Sequence, residues 1–255
     1  MIDDETGERA SQASLKTLGN ALRVLELIAA AEFPPKIGEI SRELGLSRPT
    51  TYRLVQSLVG EGYVIQDEPD GRLTMGFVIL ELAGSLLEKN RLRREALPHM
   101  HRLAHETNER VSLGVLSRNR IYSIAQIVKP TLPSVYSRYG KPVPAHSCGL
   151  GKAILAFIPT DELHAIAKVE PLVARTPNTI TTLPELEADL AEVRLRGYAI
   201  DRAEGTMGSF CVAAPVFGPD GRPIGAISIS ARSLDIVEPH APLLQECAEL
   251  LSHTL

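Results

Sequence analysis

The sequence predicts an α+β chain in which a winged helix-turn-helix is followed by a linker helix and a larger antiparallel sheet with flanking helices. Three observations predict it. Two short amphipathic segments meet at Gly45 and Ser47, and a strand–turn–strand pattern follows directly. After Glu109 the helical spacing gives way to short runs of strand formers. Those runs lie between stretches of helical periodicity, the pattern of an α+β domain.

The elements follow in order. Residues 1–13 are polar and acidic and read as a frayed tail. From Ser14 a helix begins, with Leu18, Leu22, Leu25 and Ala29 on one face, and Phe33-Pro34-Pro35 stops it. Ile37, Ile40 and Leu44 space a second helix. Gly45 stands where a left-handed cap is wanted, Ser47 is an N-cap, and Pro49 falls in the first turn of the third helix. Leu54, Val55, Leu58 and Val59 give that helix its apolar stripe before Gly60 and Gly62. Tyr63–Gln66 and Arg72–Thr74, joined through Glu68-Pro69-Asp70-Gly71, make a wing.

Phe77–Glu88 reads as a linker helix with Val78, Leu82, Ser85 and Leu86 at helical spacing, and Lys89–Arg94 is a basic break. Ala96–Thr107 is another helix. Strands are expected at Val111–Leu116, Arg120–Val128 and Val135–Tyr139, and a helix over Ser147–Ile158. Thr182 and Glu185 have capping-box spacing ahead of Leu186, Leu190 and Val193, with Gly197 as the stop. Tyr198–Ile200 is a strand, Cys211–Phe217 and Ile224–Ser230 a hairpin, and Glu238–Leu251 a last helix. The boundaries drawn are 14–76 for the winged unit, 77–94 for the linker and 95–255 for the sheet domain.

Composition narrows the function. The chain has 255 residues, is 44% hydrophobic and 23% charged, and carries a formal charge of −4. Net charge therefore advertises no bulk polyanion binding, and nucleic-acid contact requires a local patch. With 4% aromatics and no Trp, rows of stacked aromatics for single strands are excluded. Three scattered cysteines fit reduced thiols, and neither a signal peptide nor an apolar span of membrane length is present. The expected location is the cytoplasm.

The helix after Ser47 carries the DNA-reading signal. Its first turns hold Ser47, Arg48, Thr50, Thr51, Tyr52 and Arg53, with no acid before Gln56. A recognition helix places its N-terminal residues against base edges. Arg bonds guanine O6 and N7 together, and Thr reaches bases or phosphates. Lys36, Arg42 and the wing residue Arg72 suit phosphates. An inward-packed Thr51 or Tyr52 and a surface role for Arg53 fit the same spacing.

Glu39–Leu54, with Glu61–Val64, closely resembles the isocitrate-lyase-regulator (IclR) family of bacterial transcription factors. The resemblance continues in Tyr136–Ala153, Thr176–Thr181, Arg196–Asp201 and Cys211–Val216, in family order across about residues 14–252. It implies a GAF-like sheet domain that binds an effector, and a homodimer or dimer of dimers on a palindromic operator in double-stranded DNA. It further implies a repressor of a catabolic operon, answering to a small organic or aromatic acid without a cofactor. The family's effector pocket falls on Gly149, Leu150, Asp201, Cys211, Ser228 and Ser230, with walls at Leu132, Val135 and Val143. Two departures stand out. Cys148-Gly149 replaces a frequent Thr-Ala, and Lys36 stands where a capping Ser or Thr is common.

Physical reasoning supports such a pocket but leaves plainer roles open. Gly149 and Gly151 permit close backbone approach, and equally a tight turn. Ser228 and Ser230 share one side of a strand, pocket or solvent. Cys211 alone fits a small buried residue, Asp201 a turn carboxylate, and Lys152 a surface or structural role. An enzyme reading needs Cys148 or Cys211 as nucleophile with His146 as base, and no hydrolase elbow or phosphate loop accompanies them. The alternative function is thus a cytosolic small-molecule hydrolase or a stand-alone metabolite sensor. His101 and His105 have metal-ligand spacing without a third ligand, and a solvated helix face suits them better.

Overall fold

The computed structural model describes residues 3–128 and 142–255, with side chains from residue 15 onward. The expected strand at 135–139 lies outside the described residues. The chain divides into two compact units, Met1–Leu86 and Leu87–Leu255.

The first unit packs α1 (Asp3–Ala30), α2 (Ile37–Leu44) and α3 (Arg48–Gly60) against a hairpin of β1 (Val64–Gln66) and β2 (Leu73–Met75). α1 starts at Asp3, well before Ser14, because the polar residues 3–13 leave no apolar period to read. Its core-facing residues are also offset from the expected stripe. Val24 and Ile28 are buried, whereas Leu18 and Leu22 are 58% and 52% exposed. α1 is apolar on more than one face, so spacing alone does not choose the seam. Val24, Ile28, Ile40, Leu54, Val55, Val64 and Leu73 make the small core.

The turn between α2 and α3 follows the sequence closely. Gly45 has φ of 64° and donates its N–H to Arg42 O, closing α2 in the left-handed region where a Cβ is costly. Ser47 Oγ accepts from Thr50 N at 3.3 Å to open α3. Leu73 N donates to Pro35 O, and Lys36 bridges Arg72, which ties the start of α2 to the wing. α4 (Val78–Lys89) buries no side chain fully, and Leu82 and Leu86 are exposed.

In the second unit α5 (Arg91–Thr107) begins five residues earlier than expected. Asn90 Oδ1 accepts from Arg93 N at 2.8 Å, so the basic run forms a first helical turn and not a break. Six strands follow: β3 (Arg110–Ser117), β4 (Arg120–Ile127), β5 (Val143–Pro144), β6 (Ala199–Arg202), β7 (Phe210–Phe217) and β8 (Pro223–Ala231). They form one antiparallel sheet in the order β5-β4-β3-β8-β7-β6.

Strand alternation gives this sheet two different faces. Val111, Leu113, Val212, Ala214, Ile227 and Ile229 pack with α5 and α10 (Ala241–Thr254), around Met100, Leu103, Leu244 and Leu251. The other face carries smaller and more polar side chains: Ser112, Gly114, Cys211, Ala213, Ala226, Ser228 and Ser230. It lies under α6 (Gly149–Leu155), with α7 (Thr160–Val169) and α8 (Leu183–Arg196) completing that core around Ala153, Ile154, Leu186 and Leu190. A short α9 (Leu234–Val237) precedes α10. α7 has no counterpart in the sequence expectations, and the helix expected over Ser147–Ile158 opens as a tight turn at 145–147 before α6.

Candidate nucleic-acid interface and ligand cavity

Lys36, Arg42, Arg48 and Arg53 line one open groove of about 690 Å³ at the start of α3. Each is exposed, and among the described residues none takes part in an ion pair. Arg48 runs beside Gly38 of α2, where a Cβ would lie 3.7 Å from Nη2. Glu39, the one acid in the lining, is occupied, because its carboxylate accepts from Lys36 N at 2.7 Å. That bond also supplies the helix end for which Lys36, having no side-chain acceptor, has no cap of its own. A chain of net negative charge thus gathers four cations in one groove, none of them ion-paired among the described residues.

The hydroxyl residues of this region divide differently from the sequence expectation. Ser47 and Thr50 share a hydrogen bond of 2.8 Å at the cap. Thr51 is fully buried and donates to Ser47 O at 3.1 Å, so it holds the helix start and offers nothing to a duplex. Burial replaces the proposed contact because Thr51 falls on the same helical face as Leu54 and Val55. Tyr52, by contrast, is 54% exposed and lines the groove. Arg72 is half-buried and its Nη1 donates to Pro34 O at 2.7 Å, which anchors the wing.

The polar face of the second unit's sheet holds a cavity of about 160 Å³. Val143, Leu150 and Ile121 supply its apolar side, and Ser112, Ser123 and Gln126 its polar side. Arg110, Cys148, Thr206 and Ser209 complete the lining. Gln126 Nε2 donates to Ser112 Oγ at 3.2 Å, and Arg110 Nη2 to Ser209 Oγ at 3.5 Å. Of the pocket positions carried over from the family, Val143 and Leu150 line this space. Leu132 and Val135 lie outside the described residues. Ser228 and Ser230 are buried directly across from Ser112 and Arg110 in the β3–β8 register.

Gly149, Asp201 and Cys211 form a separate packed cluster under the first residue of α6. A Cβ on Gly149 would stand 2.5 Å from Cys211 Sγ and 3.5 Å from Asp201 Cβ. One on Gly151 would stand 2.0 Å from Ala145 O, so both glycines serve close approach. Asp201 Oδ1 accepts from Glu204 N at 2.8 Å. Burial pushes the Asp201 carboxyl up to about 6, and the neighbouring Glu204 charge adds to that.

Sequence reading missed the most unusual group nearby. Lys152 is fully buried, with Nζ 2.7 Å from Glu204 Oε1 and 3.1 Å from Asp189 Oδ2. The Glu204 turn is clamped in turn from outside. Thr176 Oγ1 donates to Ala203 O, Thr179 Oγ1 to Glu204 O, and Asn178 Nδ2 to Arg202 O. Ala203 is held at φ of 62°, a region that side chains rarely adopt.

The thiols do not match the nucleophile reading. Burial pushes Cys148 up to about 12 and raises Cys211 strongly as well, so both stay protonated near neutrality. Burial lowers His146, whose Nε2 is 3.2 Å from Val173 O and not from a thiol. Among the described residues no three His, Cys, Asp or Glu side chains are grouped to hold a metal, and no helix is long and apolar enough to cross a membrane. His101 and His105 are exposed on α5.

Comparison with known proteins agrees with this division. Residues 17–68 match the IclR helix-turn-helix domain, and residues 84–253 match the bacterial transcriptional regulator IclR C-terminal domain. The chain is 30% identical to the HTH-type transcriptional regulator XynR of Escherichia coli K12, covering 85% of this chain and 86% of that protein. It is 29% identical to the HTH-type transcriptional repressor AllR of Klebsiella pneumoniae, covering 88% and 82%. The crystal structure of Thermotoga maritima IclR superposes with a TM-score of 0.72 at 30% identity, covering 94% of this chain and 99% of that one. An IclR homologue from Microbacterium hydrocarbonoxydans complexed with 4-hydroxybenzoate superposes with a TM-score of 0.79 at 27% identity, covering 93% and 98%. With both units matched in order by family and by fold, the chain belongs to the IclR family of bacterial transcriptional regulators.

Proposed function

We propose that this chain is a cytoplasmic, effector-responsive repressor of a catabolic operon that reads a palindromic operator as a homo-oligomer. The observation that carries the reading is the groove at the start of α3, where four exposed cations face outward with no acidic partner among the described residues. Arg48 and Arg53 are the base readers, and Lys36, Arg42 and Arg72 contact phosphates. Ser47 and Thr50 stand at the helix N-terminus, where main-chain N–H groups also suit a phosphate.

The effector is a small organic or aromatic acid held on the polar face of the sheet. The cavity's combination of one cation, several hydroxyls and an aliphatic wall supports that class. Ser228 and Ser230 of β8 lie across from the lining residues Ser112 and Arg110 of β3, and Asp201 and Cys211 pack against Gly149 at the start of α6. Exposed leucines at 15, 18 and 22 on α1 support self-association through this helix.

The test is binding of the full chain to its own upstream DNA, with and without candidate acids. Arg48→Ala and Arg53→Ala should each weaken the specific complex by about 1–3 kcal/mol while leaving thermal unfolding unchanged. Wild-type affinity in both variants would refute the reading.

A further inference from the structure

The first two turns of α3 hold fewer groups able to read bases than their composition suggests. Thr50 Oγ1 is engaged with Ser47 Oγ, and Thr51 is buried and spent on the Ser47 carbonyl. Tyr52 is 54% exposed, and among the described residues no hydrogen bond holds its phenol. It stands four residues after Arg48, hence on the same helical face, and next to Arg53. All three line the cationic groove. A large ring exposed between two guanidinium groups that have no ion-pair partner among the described residues is poorly explained as a surface residue. In a major groove it would meet base edges where the arginines do.

We propose that Tyr52 is the third base-reading residue of α3, and that its ring packs against a thymine methyl group between the positions read by Arg48 and Arg53. The major groove presents that methyl only at thymine, and an apolar side chain contacts it. The proposal rests on the DNA-binding reading above. It replaces Thr50 and Thr51 with Tyr52 as the source of sequence preference beyond the two arginines.

The experiment selects duplexes from a randomised double-stranded pool with the full wild-type chain, Tyr52→Ala and Tyr52→Phe, followed by sequencing. Anisotropy titrations on the wild-type consensus then replace each half-site thymine by uracil, which removes only the methyl. Wild type should prefer thymine at one position per half-site and lose about fourfold there on uracil substitution, the worth of one buried methyl. Tyr52→Ala should keep the guanine positions, lose the thymine preference and be indifferent to uracil, whereas Tyr52→Phe should behave as wild type. An unchanged consensus for Tyr52→Ala, or a Tyr52→Phe variant as degraded as Tyr52→Ala, would overturn the ring contact. If wild type enriches no sequence, the DNA-binding reading itself fails, a result distinct from loss at a single position.

Discussion

Replacing Lys152 by Met tests what the buried cation contributes. Met keeps most of the stem's packing and removes only the charge and its hydrogen bonds. In the wild type Nζ lies 2.7 Å from Glu204 and 3.1 Å from Asp189, with Lys152 itself fully buried. Asp201, also buried, adds a further carboxylate that bonds the Glu204 amide. Removing the cation leaves this acidic group uncompensated, for which breaking buried pairs elsewhere costs about 3–5 kcal/mol. For a unit of this size each kcal/mol moves Tm by about 2–4 °C, so the expected loss is on the order of 6–20 °C. Differential scanning calorimetry of the full chain at pH 7.5 measures it. Adding Glu204→Gln to Lys152→Met should recover about half of the deficit or more, because a neutral amide no longer requires the cation. A Lys152→Met variant melting within two degrees or so of wild type, or a double variant with no recovery, would show that Lys152 acts through packing and not charge.

Two further outcomes follow from the same layer. Burial raises the Asp201 carboxyl from the ordinary 3.8 to about 6, so the folded state binds the extra proton between those values. Its ionisation therefore costs stability as pH rises from about 4 to 6, and the cost is complete above that window. Asp201→Asn should flatten this part of the stability–pH curve in urea titrations, and an unaltered slope would remove Asp201 as its source. Gly149→Ala places a methyl 2.5 Å from Cys211 Sγ and should destabilise by about 1–3 kcal/mol through overpacking, with Cys211→Ala restoring most of it. Destabilisation that Cys211→Ala leaves untouched would locate the strain in the backbone instead.

How much of this was legible in the sequence depends on the range of the interactions. Caps are local, so Gly45, Ser47, Thr182 and Gly197 marked their helix ends correctly. The alternation of β8 is local too, and it separates Ile227 and Ile229 from Ser228 and Ser230 as its period demands. The seam of α1 is not local. Leu18 and Leu22 have the same spacing as Val24 and Ile28, and only the position of α2, α3 and the wing hairpin decides which pair is buried. Thr51 shows the same limit within a candidate site. A polar residue in the first turns of a recognition helix reads as a DNA contact until packing turns it inward, and the exposed tyrosine beside it then becomes the more informative residue.

Lys152 marks where sequence reasoning stops for a physical reason. A lysine is read as surface because an isolated ammonium loses its hydration on burial, at a cost of several kcal/mol. That cost is bearable only beside compensating carboxylates, and Glu204 lies 52 residues further along the chain. No spacing rule connects them. The partner comes from a turn that depends on Thr176, Asn178 and Thr179 for its shape, and Ala203 adopts its left-handed conformation inside that clamp. The same turn continues within a few residues to Thr206 and Ser209 in the cavity lining. A ligand that binds one arrangement of this turn more tightly than another would shift its population by that difference in affinity and no more.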